Sequence, residues 1–116
     1  MSDLTLEIKY DIEKYEQIRN DLEKRFGKKP DLVTITYLIG HRELGHNRTF
    51  FTKGEKEELM HIGVCALLAQ KGYYTFTKRD EDGWPFYEKS PDMPKFAPEM
   101  QDALLKAMVI EYFEKL

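Results

Sequence analysis

Residues 52–72, TKGEKEELMHIGVCALLAQKG, carry a start signal, an apolar run and a stop signal that agree on one helix. Thr52 and Glu55 form a T-x-x-E capping box, in which the hydroxyl takes one orphan backbone N–H and the carboxylate takes another. Leu59, Met60, Ile62, Val64, Cys65, Ala66, Leu67, Leu68 and Ala69 then cover most of the circumference. A helix apolar nearly all round has to be surrounded by other elements, so this segment is expected to be the centre of the fold. Lys71 suits the negative end of the helix dipole, and Gly72 can take the left-handed conformation that closes a helix.

Downstream, YYTFTK at 73–78 and WPFYEK at 84–89 are aromatic-rich runs on either side of a polar turn, RDEDG at 79–83, whose glycine can supply positive φ. This spacing predicts a β-hairpin over about 73–89, with Pro85 marking an edge or an irregular start of the second strand. Upstream, DLVTITYLIGHRELG at 31–45 is legible in two ways. Val33, Ile35, Tyr37 and Ile39 alternate as in a strand, while Asp31 as N-cap, Leu32, Ile35 and Ile39 on one side and Gly45 as terminator describe a helix. The helical reading is adopted.

Further out, Ile12, Tyr15, Ile18, Leu22 and Phe26 recur at helical spacing after Asp11, and Gly27 followed by Pro30 ends that helix with Lys24, Arg25, Lys28 and Lys29 gathered at its C-terminal end. A last helix starts near Pro98 and faces Leu105, Met108, Val109, Tyr112, Phe113 and Leu116 to the core, which leaves Leu104 and Ile110 off that face. Leu4, Leu6, Ile8 and Tyr10 alternate with polar residues, the pattern of a short N-terminal strand. The expected fold is therefore α+β and mainly helical: three to four helices around a central one at about 52–71, plus the hairpin, in a single domain over 1–116.

Composition narrows the function classes. A chain of 116 residues, 41% hydrophobic and 13% aromatic, supports one ordinary core. Its net charge of −3 supplies no field for nucleic acid or an anionic membrane surface. Nothing in it reads as a secretory leader or a membrane span, so a cytoplasmic setting is expected. The single Cys65 has no disulfide partner and reads as a small buried hydrophobe.

Three segments, LIGHRELG at 38–45, LMHIGVCALLAQKGYY at 59–74 and DEDGWPFY at 80–87, resemble a group of small uncharacterised proteins of Bacteroidetes bacteria. The resemblance implies a small cytosolic bacterial protein with residues 31–44 helical. It implies no activity, cofactor or site residue.

Several constellations carry residue types suited to chemistry. His41 and His46 are five residues apart, about 140° round a helix, and cannot share a metal from one face as the H-E-x-x-H zinc motif requires. Asp80, Asp82 and Gly83 fail as a calcium loop, because Lys78 and Lys89 fall where ligands belong. Two Glu-x-x-His pairs, Glu43 with His46 and Glu58 with His61, have the spacing of di-iron helices, with Glu16 or Glu23 from one further helix and Glu111 from another to complete a site. Gly45 separates the first pair, so no metal or other cofactor is expected, and His61 is expected to lie along the core as a structural histidine. Arg42, Arg48 and Lys53 surround the start of the central helix and are candidates for an anion, although the capping box already takes the amides there.

The reading preferred on these grounds is a protein-interaction or structural module, self-associating or binding another protein. Tyr73, Phe76, Trp84, Phe86 and Tyr87 crowd both faces of a two-stranded ribbon, and Leu104 and Ile110 add apolar surface. A small enzyme or metal- or ligand-binding protein built on Glu58 and His61, and an anion binder, are the alternatives.

Overall fold

The structure is a computed structural model that describes residues 8–116. Its elements run α1 (Ile12–Phe26), α2 (Leu32–Leu44), α3 (Lys53–Ala69), β1 (Tyr74–Arg79), β2 (Pro85–Lys89) and α4 (Pro98–Glu114). The protein is thus α+β and mainly helical, with four helices and a two-stranded antiparallel hairpin among the described residues. No described helix is long and apolar enough to cross a membrane. The alternating N-terminal stretch lies mostly outside the described residues, and residues 8–10 form neither helix nor strand.

Local signals placed the helices. Asp11 accepts from Lys14 N at 3.1 Å and Asp31 from Thr34 N at 2.9 Å, each satisfying an orphan donor of a first turn. The capping box of α3 is complete: Glu55 N donates to Thr52 Oγ1 at 3.1 Å, and Thr52 N donates to the Glu55 carboxylate at 2.9 Å. At its far end Gly72 adopts φ +77°, and Tyr73 N reaches the Leu68 carbonyl at 3.1 Å, the paired closure that a left-handed glycine permits. Residues 32–44 are helical, as the capping residues Asp31 and Gly45 indicated and the alternation did not.

Contacts gather the chain into two units, one comprising Pro30–Met93 and the other the residues through Lys29 together with Pro94–Leu116. In the first unit α3 packs against α2 and both strands. The antiparallel α2–α3 pair is closed by glycines: a Cβ on Gly40 would run into the Leu59 carbonyl, and one on Gly63 into the Thr36 carbonyl. Thr36 and Gly40 lie one turn apart on α2, as do Leu59 and Gly63 on α3. The two backbones therefore touch at successive turns, an approach open only to a residue without a side chain. Ile35, Ile39, Leu59, Ile62, Leu67 and Leu68 are each at most 2% exposed.

In the other unit α1 packs against α4. Buried Tyr15 stands edge-on to Tyr10 at 5.9 Å, and Lys106 lies 5.4 and 5.5 Å over the two rings while it pairs with Asp102 at 2.9 Å. Burial pushes the Tyr15 phenol up. Three expectations for these helices need correction. Ile12 and Phe26, expected on the core face of α1, are 62% and 55% exposed, because they sit at its two ends, beyond the buried stretch between Tyr15 and Leu22. Leu104 and Ile110, expected on an outer stripe of α4, are buried together with Leu105, Met108 and Val109, so burial extends round more of that helix than one face. Leu116, expected to face the core, is 59% exposed.

Candidate functional site

The unit of Pro30–Met93 assembles its distinctive chemistry where the α2–α3 loop, residues 45–52, meets the hairpin. Gly45 closes α2 with φ +75°, and the loop is then tied down at several points. The Arg48 carbonyl lies 3.2 Å from His41 Nε2, and since a carbonyl can only accept, that nitrogen carries the proton. The Arg48 guanidinium donates to Glu55 Oε1 at 2.8 Å and to the Phe50 carbonyl at 3.3 Å, and lies 4.6 Å over the Phe51 ring. Arg48, followed by the Thr52 amide, holds the Glu55 carboxyl below the usual carboxylate range.

Two adjacent phenylalanines have opposite fates here. Phe51 is 3% exposed and packs with Leu44, Leu59 and Ile62, its ring edge-on to His41 at 5.4 Å and to Trp84 at 6.3 Å. Phe50 is 77% exposed, more than any other large apolar residue described. Phe50 thus lies between Arg48 and Phe51, both tied to the helices, and its own carbonyl accepts from the Arg48 guanidinium.

The hairpin is held to this region by Arg79. Its Nη2 donates to the Glu43 carbonyl at 2.8 Å, and its Nη1 to the carbonyls of Gly83, at 2.8 Å, and Leu44, at 3.4 Å. A guanidinium thus takes two carbonyls at the end of α2, where the helix dipole favours a cation, and one from the hairpin turn. Asp80 shapes that turn by accepting from the amides of Asp82 and Trp84, each at 2.9 Å, and Gly83 supplies φ +86°. The His46 ring lies against Gly83, where a Cβ would come within 2.9 Å of Nε2.

Strand pairing sets Tyr74, Phe76 and Tyr87 on one face, with Phe76 opposite Tyr87 and Tyr74 opposite Lys89, while Phe86 shares the other face with Lys78. A bulge at Thr77 changes the register between Phe76 and Lys78, and the Thr77 hydroxyl donates to the Phe86 carbonyl at 3.1 Å. The aromatic surplus expected of the ribbon is largely absorbed, since Trp84 and Tyr87 pack on the Leu44–Phe51–Leu59–Ile62 cluster. Burial, with the Glu43 carboxylate adding to it, pushes the Tyr87 phenol up to about 12. Phe76 at 49% and Phe86 at 45% remain exposed, under Arg79 and Lys78 respectively at 5.8 Å.

The other candidates are placed as follows. His61 is exposed and does not lie along the core as expected. The buried faces of α3 take Ile62, Gly63, Cys65 and Ala66, which turns position 61 outward. Its Nε2 is 3.5 Å from Cys65 Sγ, and its ring stands edge-on to Tyr74 at 6.4 Å. Cys65 is 1% exposed, as the apolar run indicated, and burial, with the Glu58 carboxylate adding to it, pushes its thiol up to about 11. A thiol so held is a poor nucleophile at neutral pH. Among the described residues no three His, Cys, Asp or Glu side chains come together as a metal site, and the Glu43, His46, Glu58 and His61 set is not gathered into one. Of the anion candidates, Arg48 is committed to Glu55, while Arg42 and Lys53 are exposed. Sequence reasoning missed Phe50 and Arg79; the F-F pair beside a capping box was the one local sign of the former. No family model, curated protein or solved structure matches the chain.

Proposed function

We propose that this protein is a protein-interaction module that engages its partner through Phe50. The single observation that carries this reading is an almost fully exposed phenylalanine on a loop anchored by His41, Arg48 and Phe51. A rigid aromatic loses little freedom on binding, which is why such residues dominate interface energetics. Hairpin edges suit this role less well than its faces: β2 begins with Pro85, which cannot donate, and β1 is bulged at Thr77, both of which discourage strand addition. A net charge of −3 favours protein over nucleic acid as the partner, and a cytoplasmic setting is part of the reading.

The test is a photo-reactive phenylalanine analogue at position 50 in producing cells, with Val33, 56% exposed at the start of α2, as control. One adduct of defined mass from position 50 and none from 33 is the expected result. No adduct, or the same set from both positions, contradicts the proposal.

A further inference from the structure

In the unit formed by α1 and α4 a groove of about 390 Å³ opens between the two helices. Its floor is apolar, made by Ile18, Leu22, Ile110 and Phe113, and its rim carries Lys14, Asp21, Arg25 and Glu114. Two cations and two anions leave that rim neutral, which selects against a strongly charged ligand and for a surface that also carries both signs. The rim pairs are of a kind that exchanges partners at little cost: Lys14 Nζ to Glu114 at 3.3 Å, with both side chains more than half exposed, and Gln17 Nε2 to Asp21 at 2.9 Å. Lys14 and Asp21 are seven residues apart, two turns along one face with Ile18 between them.

Such a patch is complementary to itself under a two-fold rotation, the commonest symmetry of soluble assemblies. We propose that the groove seats a second copy of this chain, with the two α1 helices crossing antiparallel so that Lys14 of each copy meets Asp21 of the other over a shared apolar floor. Self-association then belongs to α1 and α4, independently of Phe50, and a dimer presents two Phe50 loops at once, which raises avidity for any partner that displays two sites.

Sedimentation velocity on the whole chain, from micromolar to roughly 1 mM, tests the proposal by the dissociation constants it reads. The expected result is a monomer–dimer equilibrium weakened by salt. Ile18→Glu, at a half-buried position, should abolish the dimer while circular dichroism shows the helices retained. Lys14→Glu and Asp21→Lys should each weaken it about tenfold or more, and the double reversal should recover most of the loss, as charge pairs across an interface do. Phe50→Ser should leave the dimer unchanged, which separates this proposal from the partner reading. A chain that stays monomeric throughout, a dimer indifferent to Ile18→Glu, or single reversals that the double reversal does not rescue would overturn it.

Discussion

The two helix pairs of this protein are built on opposite principles. In α2–α3 the backbones meet, with Gly40 against Leu59 and Gly63 against Thr36, and both helices bury residues on more than a single stripe. In α1–α4 the contact runs through side chains such as Tyr15, Lys106, Lys14 and Glu114. Here α1 buries only Tyr15 and Leu22, and a groove stays open. The first pair has no space to adjust and suits a scaffold that fixes a loop and a hairpin in place. The second has space and mixed charge, the properties of a surface that can take a partner. Close packing makes interiors intolerant of added volume, so the contrast is testable by substitution.

The largest effect is expected at the glycine contacts. Gly63→Val has to drive α2 and α3 apart along their whole contact, and should cost at least about 4 kcal/mol or prevent folding. Gly54→Ala sharpens the comparison: its Cβ would meet open space, and an alanine in a helical turn should stabilise by about 0.5–1 kcal/mol. Denaturant titration of both variants decides whether backbone contact or helix propensity governs this pair. Next in size is Leu68→Ala, where removal of a side chain 2% exposed should cost about 3 kcal/mol through lost burial and a cavity.

Of the residues behind these effects, Leu68 is legible as buried from the apolar run, and the glycines are not. Asp11, Asp31, the Thr52–Glu55 box, Gly27 and Gly72 were readable because a cap is satisfied within four or five residues of itself. The demand on Gly40 and Gly63 comes from a backbone elsewhere in the chain, and nothing near either glycine announces it. Arg79 reaches the Glu43 carbonyl across 36 residues, for the same reason beyond local pattern. The spacing of apolar residues on α4 marks a stripe narrower than the surface that is covered, since Leu104 and Ile110 are buried. Phe50 and Phe51 are indistinguishable by residue type; only the ties made by His41 and Arg48 decide which ring is inside.

Arg79→Ala should have a smaller effect, about 1 kcal/mol, because the lost hydrogen bonds are partly replaced by water at an exposed position. Its diagnostic consequence is local: amides at the end of α2 and in the 80–83 turn should exchange faster while those of α1 and α4 do not change. Smallest at neutral pH is the contribution of Tyr87. Its phenol is raised to about 12, so the preference for its neutral form is fully present below the ordinary tyrosine value near 10 and is lost as pH climbs towards 12. Spectrophotometric titration should show several late-ionising tyrosines, Tyr15 and Tyr74 among them, and Tyr87→Phe should remove the latest, with alkaline stability falling in that interval less steeply in the variant. A latest ionisation left unchanged by Tyr87→Phe would mean that the hairpin does not pack on α3 as described.

The contrast between the two helix pairs is tested most directly by native-state hydrogen exchange resolved to single amides. Amides in the middle of α2 and α3, such as those of Ile39, Gly40, Gly63 and Leu67, should exchange only through the largest opening of the protein, and those of α1 through smaller ones. Equal protection in the two pairs, or slower exchange in α1 than in α3, would contradict the assignment of α2–α3 as the rigid scaffold that presents Phe50.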